Sequence, residues 1–592
     1  MNEHGLIAGL LLAGVLLSAG ASAADISAAD NIIVTATRTE ISVDDAIVPV
    51  RVITRDDIEL SLATDLAELL RFEAGIDIGR NGGPGQATSV FMQGTESNHT
   101  LVLVDGVRIN PGTIGGAAVQ HIAPEMIERV EIVKGARSSL FGTDAIGGVI
   151  NIITRDADEA YVDAGAGGGS FSTRTAHLSA GAGTDNGKIG ATVGWTGTDG
   201  FAPRIESDTR RGYDNLSLNI FGSRKLGSSD VSVRHWRADG NVEYLDFFLS
   251  PVDQDYKNSA TALQVDTPFA GRGNSKLIVS HSVDEIRQRQ APDFVESTRL
   301  TLDWQYSHAF ANHTLTGGIY AVDENAESLS FGSGFDEDTD VRAVFLQDQV
   351  LFGRHRAFAA VRLSDHESFG NETTWNAEYA FDLSDDWTVS AGLGRAFRAP
   401  DATDRFGFGG NPDLQPEIVA IQLGLRYSAG NRHRFDLELY RNDLDDLIEF
   451  DLATFMLVNV DEAEIRGAQV GYEYRGDAFT VRTELVNQRA DNKATGERLL
   501  RRAENSATLT YTQNIGAHRI GISVLASGDR EDFGGAELDS YVLVNLTGQL
   551  QLGRTLSLNA RIENLFDEDY ETAASFRMQE LSGFVELRYR WR

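Results

Sequence analysis

The sequence has 12 histidines, whose side chains could act as general bases, and four of them, His99, His121, His235 and His281, show how they are placed. A hydrolase would need such a base beside a nucleophile and an orienting acid. The four histidines are scattered and form no such constellation in the sequence. The chain of 592 residues contains no cysteine, which excludes a disulfide scaffold and thiolate chemistry. The sequence therefore predicts a protein that is not an enzyme and requires no cofactor.

The net charge of the chain indicates which kinds of macromolecule it can bind. The formal net charge is −35, from 87 acidic and 52 basic side chains. Such a surface repels the phosphates of DNA and RNA, so we expect no nucleic-acid partner. The chain is also too long for one ordinary soluble core, which points to more than one structural unit.

The elements that would position any functional residue are clearest between Ile127 and Arg155, which reads IERVEIVKGARSSLFGTDAIGGVINIITR. Two β-branched runs, 130–133 and 149–153, flank a segment of small residues. The pattern predicts strand, tight turns and strand, with the charges of Arg137 and Asp144 between the strands.

The N-terminus predicts export. An apolar run from Leu6 to Leu17 precedes the small residues Ala21-Ser22-Ala23, so we expect a signal peptide over residues 1–23. The run is too short to cross a bilayer as a helix. No later stretch is apolar enough for a membrane helix, so any crossing must be made by strands.

The second half alternates apolar and polar residues with a period of two, as in Arg299–Tyr306, Arg434–Tyr440 and Val585–Arg592. This period places one face of a strand in lipid and the other in a polar lumen. At roughly 20 residues per strand and connection, residues 156–592 allow about 22 strands. We therefore predict an all-β transmembrane barrel of about 22 antiparallel strands.

The run Ile127–Arg155 resembles the end of the plug domain of TonB-dependent outer-membrane receptors, and Asn564–Thr572, reading NLFDEDYET, resembles another segment of that superfamily. The resemblance implies an α+β plug over residues 41–155 inside the lumen of a barrel over 156–592. It also implies a monomer in the lipid of the outer membrane of a Gram-negative bacterium, energised by TonB.

A segment of residues 24–40 resembles the TonB box, the stretch that pairs with TonB. An extended β-branched peptide can add to the edge of a sheet through backbone hydrogen bonds. The alternative is an ordinary first strand of the plug. The segment consists of Asp30, Asn31, Ile32, Ile33, Val34, Thr35 and Ala36.

Over residues 30–592 the chain is most similar to the vitamin B12 (cobalamin) receptor family. The more specific segments are Phe406–Pro412 (FGFGGNP), Tyr440–Asp443 (YRND) and Leu499–Ala503 (LLRRA). The resemblance implies TonB-dependent transport of cobalamin or a related corrinoid.

Other cargoes and classes stay open. Phe397–Pro400 followed by Asn411–Leu414 resembles a paired motif of haem receptors, but residues 401–410 lack the histidine that those receptors place between the two motifs. An iron–siderophore or another scarce nutrient is an alternative cargo. A passive porin would need neither plug nor TonB box, and an outer-membrane hydrolase would need the catalytic constellation that is missing.

The resemblance also implies ligand contacts. Small residues with free backbone amides at the plug apex suit a bulky ligand that is rich in amides. For Arg501 the alternative is a lumen arginine paired to the plug, and Phe533 replaces a tyrosine of the family. The implied contacts are Ala87, Thr88, Ser89, Glu96, Ile114, Gly115, Phe247, Arg501 and Phe533.

Calcium is implied in part. Related cobalamin receptors bind calcium through carboxylates of two long loops, and Asp246 and Asp255 match that pattern. The partner loop carries Thr209–Gly212 where the family has aspartates. We hypothesise that Arg210 or Arg211 pairs with the two aspartates in place of the ion; the alternative is two unconnected solvated loops.

Overall fold

The computed structural model describes residues 33–34, 38, 41–42, 46–47, 50–269, 271–330, 332–429 and 432–591. The predicted signal peptide, 1–23, lies outside the described residues. So do five residues of the predicted TonB box: Asp30, Asn31, Ile32, Thr35 and Ala36. None of the helices in the described part of the chain is long and apolar enough to cross a membrane.

The N-terminal part is an α+β domain, as predicted. Its central sheet has the strand order β3-β8-β9-β6-β7, in which β6 and β9 are parallel and the other neighbours antiparallel. The elements are β1 (Ile33–Val34), β2 (Ile41–Ser42), β3 (Val50–Thr54), α1 (Arg55–Ser61), α2 (Leu66–Leu70), β4 (Ile76–Arg80), β5 (Thr88–Met92), β6 (Thr100–Val104), β7 (Val107–Arg108), β8 (Ile127–Lys134), α3 (Ser138–Phe141) and β9 (Gly148–Thr154), with 3₁₀ turns at Ser97–His99, Val119–His121 and Pro124–Met126.

The predicted strand, turn and strand between Ile127 and Arg155 is present, with one difference. The connection contains the helical turn α3, which seats the plug against the barrel. Arg137 pairs with Glu378 of the barrel at 2.5 Å, and Asp144 pairs with Arg108. Gly148 is required because a Cβ there would lie 2.3 Å from the carbonyl oxygen of Val133.

The remaining chain forms a closed antiparallel barrel of 22 strands, which confirms the prediction of about 22. In chain order the elements are β10 (Tyr161–Gly169), β11 (Arg174–Thr184), β12 (Gly187–Thr198), β13 (Tyr213–Leu226), β14 (Ser229–Leu245), β15 (Pro251–Phe269), β16 (Gly273–Gln288), β17 (Phe294–Phe310), β18 (His313–Ser330), β19 (Ser333–Phe352), β20 (His355–His366), β21 (Gly370–Asp382), β22 (Trp387–Arg398), α4 (Ala402–Phe406), β23 (Glu417–Ala429), β24 (His433–Asp451), β25 (Met456–Arg475), β26 (Phe479–Asn492), β27 (Asn505–Ile515), β28 (His518–Ser527), β29 (Arg530–Asp532), β30 (Ala536–Leu538), β31 (Tyr541–Gln551), β32 (Leu556–Glu563), β33 (Glu571–Ala573), β34 (Phe576–Arg577) and β35 (Ser582–Trp591). The pairs β29–β30 and β33–β34 are hairpins in the connections, which also hold 3₁₀ turns at Ser170–Ser172 and Phe533–Gly535.

The strand alternation explains the two faces of the wall. In β17, Leu300 is 53% exposed on the outer face, whereas its neighbour Arg299 is 4% exposed and points into the lumen. Two-residue turns such as 185–186, 227–228 and 311–312 lie at one end of the barrel, which we call the short-turn end. Long connections such as 399–416 and 564–581 lie at the other, the long-connection end.

The plug core continues into one wall of the barrel. One apolar cluster contains plug residues of α1, α2 and the central sheet together with side chains of β13, β14 and β15. Burial of these apolar surfaces fastens the plug to that wall. The wall residues in the cluster are Tyr213, Trp236, Ala238, Val242, Tyr256, Ala260 and Ala262.

An ion cluster holds the seam where the first and last barrel strands, β10 and β35, pair. Asp163 of β10 is fully buried and pairs with Arg588 of β35 and, at 3.1 Å, with Arg155 of the plug–barrel linker. Arg588 also reaches Glu59 of α1 at 3.2 Å. Arg588 therefore joins Asp163, which closes the barrel, to Glu59, which fixes α1 to the seam.

We expect Asp163→Asn to destabilise the barrel by about 3–5 kcal/mol, because it leaves buried arginines without their counter-charge. Asp158→Asn is the control, since the side chain of Asp158 is 86% exposed beside Lys188 and its loss should cost about 0–1 kcal/mol. The measurement is the unfolding temperature of the barrel. It is read from a detergent gel, in which the folded barrel migrates faster than the heat-unfolded chain. Equal transition temperatures for both variants would contradict the assigned role of the seam cluster.

Candidate functional site

The plug apex meets the barrel at the long-connection end. Helix α4, in the connection between β22 and β23, donates its first backbone amides to the plug. The amide of Ala402 bonds to the carbonyl of Gly112 at 2.9 Å, and that of Thr403 to the carbonyl of Thr113 at 2.9 Å. The plug loop that carries Ile114 is thereby held by a barrel connection.

A buried arginine organises this contact. Arg398 is 1% exposed and pairs with Asp401 at 2.8 Å and with Asp404 at 2.5 Å, both in or beside α4. It also pairs at 3.1 Å with Glu417, whose carboxylate lies 2.8 Å from Nε2 of His99 in the plug. The arginine of the motif that resembles haem receptors is thus a structural link between barrel, connection and plug.

Ile114 and Gly115 lie at the top of that plug loop. Ile114 is 44% exposed, so its side chain is available at the apex. Gly115 is buried with φ +66°, and a Cβ there would lie 2.9 Å from the Cβ of Asn98. Glycine is therefore required by the backbone and by the close packing.

Two further predicted contacts lie in the connections that follow β26 and β28. Arg501 pairs with Asp532 at 2.8 Å, and its guanidinium lies 5.5 Å from the ring of Phe533, which is 49% exposed. Arg501 is therefore paired within the barrel connections. The plug contact belongs to its neighbour Arg502, which pairs with Glu96.

Arg502 is a residue that sequence reasoning missed. It also donates to the carbonyl of Gly94 at 3.1 Å, and its guanidinium covers the ring of Phe91 at 4.7 Å. The two adjacent arginines of LLRRA indicated that one of them could contact the plug. The sequence pattern does not show which of the two side chains points that way.

The other predicted contacts are placed separately. Ala87 is exposed just before β5, and the Thr88 hydroxyl accepts from Arg80 at 3.1 Å. Ser89 is half-buried in β5. Phe247 is 83% exposed in the connection between β14 and β15, where its ring meets that of Phe248 edge to face at 5.5 Å.

His121 forms a further contact between plug and barrel that the sequence analysis did not predict. Its ring stacks on Tyr256 with centroids 3.6 Å apart, and its Nδ1 lies 3.1 Å from the hydroxyl of Tyr213. Burial, with a smaller contribution from Arg80, lowers the pKa of His121 to about 3. The imidazole is therefore neutral at physiological pH and acts in packing.

The carboxylates of Asp246 and Asp255 accept hydrogen bonds from the protein itself, and calcium binding by them stays a prediction. Oδ1 of Asp246 accepts from the backbone amides of Phe248 and Ser250, at 2.8 and 2.7 Å, in its own turn. Both oxygens of Asp255 accept from Arg289, at 2.6 and 3.0 Å. No cluster of three or more potential metal-binding side chains occurs among the described residues.

The hypothesis about Arg210 and Arg211 is corrected by the same contacts. Asp255 pairs with Arg289, which follows β16, because the register of β15 and β16 brings these two strand ends together. Arg211 is buried, with its backbone amide bonded to the carbonyl of Phe201. An arginine does neutralise the aspartate, but a different one from those predicted.

The described part of the predicted TonB box lies in β1, where Ile33 and Val34 pair with Ser42 and Ile41 of β2. Arg38, which follows it, is clamped inside the barrel. Its guanidinium pairs with Asp303 of β17 at 2.8 Å, bonds to the carbonyl of Leu140 and covers the ring of Phe345 at 4.6 Å.

A family model described as the TonB-dependent receptor-like β-barrel matches residues 154–565, and one described as the TonB-dependent receptor plug domain matches residues 42–149. The chain belongs to the TonB-dependent receptors. This family carries out TonB-dependent transport at the outer membrane of Gram-negative bacteria and consists of transporters, not enzymes. Because outer-membrane barrels have short periplasmic turns and longer extracellular loops, the short-turn end is assigned to the periplasm and the long-connection end to the outside.

Two curated relatives are similar over almost the whole chain. The vitamin B12 transporter BtuB of Photobacterium profundum is 29% identical, over 95% of this chain and 96% of that protein. The vitamin B12 transporter BtuB of Vibrio vulnificus is 29% identical, over 92% of each chain.

Solved structures share the fold at lower identity. The ferric enterobactin receptor PfeA of Pseudomonas aeruginosa, in complex with enterobactin, is 17% identical with a TM-score of 0.80, covering 92% of this chain and 99% of that one. The FrpB iron transporter of Neisseria meningitidis is 14% identical with a TM-score of 0.80, covering 92% and 99%. At these identities the likeness shows the fold alone.

We expect Arg38→Ala to release the segment that precedes it, because the clamp to Asp303 and Leu140 is lost. A cysteine introduced as Ile33→Cys should then react about tenfold faster with a soluble maleimide, as local opening becomes easier. Arg342→Ala, which removes a guanidinium that is 77% exposed, is the control. An unchanged labelling rate in Arg38→Ala would show that the clamp does not hold the segment.

Proposed function

We propose that the nutrient carried by this receptor is cobalamin or a related corrinoid. The observation that carries the proposal is the similarity, over more than nine-tenths of the chain, to two proteins named vitamin B12 transporters. The sequence segments FGFGGNP, YRND and LLRRA support the same branch of the family.

The charges at the apex fit a neutral ligand that is rich in amides. Arg398, Arg501 and Arg502 are each paired with a carboxylate, so their positive charges are already compensated. An exposed aliphatic side chain, Ile114, and an exposed ring, Phe533, supply apolar contact. Such a mixture suits a large corrinoid, whose amides need hydrogen-bond partners more than counter-ions.

An iron–siderophore is the second candidate cargo. The structural neighbours are named as siderophore and iron transporters, but at 14–17% identity they support only the architecture. A ferric catecholate is anionic and would favour unpaired cations at the apex. The three paired arginines therefore weigh toward the corrinoid.

The proposed mechanism is based on the contacts that hold Arg38 inside the barrel and on the position of the plug apex. The ligand binds between the plug apex and the long connections, beside Glu96, Ile114 and Phe533. Occupancy shifts the plug and frees the segment that Arg38 holds, so Asp30–Ala36 can add as a strand to TonB. Force from TonB then moves part of the plug and lets the ligand pass.

We expect cyanocobalamin to bind the purified, detergent-solubilised protein in calorimetry with a sub-micromolar Kd. Phe533→Ala should weaken binding by about tenfold, the usual cost of truncating an aromatic contact residue. Phe352→Ala is the matched control, since its ring is also exposed but lies at the short-turn end of β19, away from the proposed site.

The same titration tests calcium. Because Arg289 binds both oxygens of Asp255 and two backbone amides bind Oδ1 of Asp246, we expect added calcium or chelator to leave the Kd unchanged. Cyanocobalamin that gives no heat, with or without calcium, would sink the proposed cargo and turn the search to siderophores. Affinity that collapses with chelator would contradict the arginine pairing.

A further inference from the structure

The plug is held differently by the two sides of the barrel. On one side its apolar core is continuous with β13–β15, and the adjacent seam is closed by buried ion pairs. On the other side, near β24–β28, a cavity of about 970 Å³ separates plug and wall. We call this cavity the lower chamber.

The lower chamber lies at the short-turn end. Its barrel lining includes Arg434 at the start of β24, Arg475 at the end of β25 and Arg519 at the start of β28. Its plug lining includes β3 and the loop that carries Glu73. The chamber is therefore on the periplasmic side of the plug.

A smaller space of about 30 Å³ lies on the same side toward the outer end, and we call it the upper cavity. Its lining includes Ser527 at the end of β28, Tyr541 at the start of β31, and Arg530 of β29. Strand β29 also carries Asp532, the partner of Arg501. The upper cavity thus lies beneath the connection that holds the predicted ligand contacts.

Glu73 lines both spaces. Its side chain is buried and accepts hydrogen bonds from Arg51 of β3 at 2.9 Å and from Arg482 of β26 at 3.0 Å. Although burial opposes ionisation, the charges of Arg482 and Arg51 lower the pKa of Glu73 to about 2. The carboxylate stays ionised at physiological pH and forms a polar partition between the two spaces.

We propose that the nutrient leaves the barrel along β26–β28 and β31, through the upper cavity and the lower chamber, and that the Glu73–Arg482 pair closes this path. At Glu73 the plug meets this wall through polar bonds, which can break and re-form in water, and the neighbouring Phe72 adds only a small apolar contact with Leu525 and Tyr541. The apolar contact of the plug with β13–β15 stays in place. The inference rests on transport through the barrel and holds for any polar cargo.

The lining of the lower chamber suits passage more than retention. Two of its arginines face carboxylates on their own strands: Arg434 pairs with Asp436 at 2.9 Å, and Arg475 pairs with Glu473 at 2.7 Å. A third, Arg519, pairs with Asp56 of the plug at 3.4 Å. A path must bind its cargo weakly enough to release it. Paired charges give an amide-rich molecule hydrogen-bond partners without a strong net field.

The chain contains no cysteine, so a single introduced thiol can report on the path. Ser527→Cys places it in the upper cavity, and Ser217→Cys places it on β13 of the apolar wall; both serines are buried, at 7% and 3% exposure. In cells that contain TonB and take up cyanocobalamin, a charged methanethiosulfonate should label Ser527→Cys about tenfold faster than in resting cells. Labelling of Ser217→Cys should change less than about twofold.

A second labelling experiment tests the path in the absence of cyanocobalamin. In purified protein at sub-denaturing urea, Ser527→Cys should react before Ser217→Cys, because the less firmly held side opens first. Adding Glu73→Gln should speed the labelling of Ser527→Cys about tenfold, whereas Glu59→Gln at the seam should not.

The outcomes separate the two proposals. Absence of cyanocobalamin uptake, with Ser527→Cys still opening first in urea, would reject the cargo and support the path. Equal labelling at both positions would mean that the plug moves as a whole, and faster labelling of Ser217→Cys would place the path on the other wall. Either result would overturn the inference.

Discussion

Closure of the sheet is the constraint on which the rest of the structure depends. A membrane strand must find partners for its backbone on both edges, and pairing β10 with β35 provides them for all 22 strands. A barrel of this size encloses a lumen that its own side chains cannot fill. The plug fills this lumen. The ion cluster around Asp163 both closes the seam between β10 and β35 and attaches the plug helix α1 to it.

The contacts between plug and barrel are of two kinds, apolar packing and ion pairs. Apolar packing against β13–β15 is continuous with the plug core, so it is lost only if that core is broken. Elsewhere smaller apolar contacts of Ile146, Leu140 and Phe72 occur beside side-chain pairs. These pairs include Arg38–Asp303, Glu73–Arg482 and Glu96–Arg502. Ion pairs can be exchanged for water at small net cost, which suits a domain that must stay closed at rest and move under force.

Much of the fold could be predicted from the sequence because its signals are local. Strict alternation, as in Arg299–Tyr306, predicted barrel strands, and the β-branched runs around Gly148 predicted the plug sheet. The site was less accessible, since its contacts join residues hundreds of positions apart. Arg502 rather than Arg501 reaches the plug, and Arg289 rather than Arg210 or Arg211 pairs with Asp255, because strand register and loop path decide those contacts.

The central claim is that this receptor carries cobalamin inward under the pull of TonB on the segment around Ile33. The most direct measurement is the accumulation of radiolabelled cyanocobalamin in cells that express the chain, in otherwise identical strains with and without TonB. The account predicts that binding to the cell surface occurs in both strains, while accumulation beyond binding occurs only with TonB and is abolished by Ile33→Pro, which cannot complete the added strand. Equal accumulation in the two strains would contradict it.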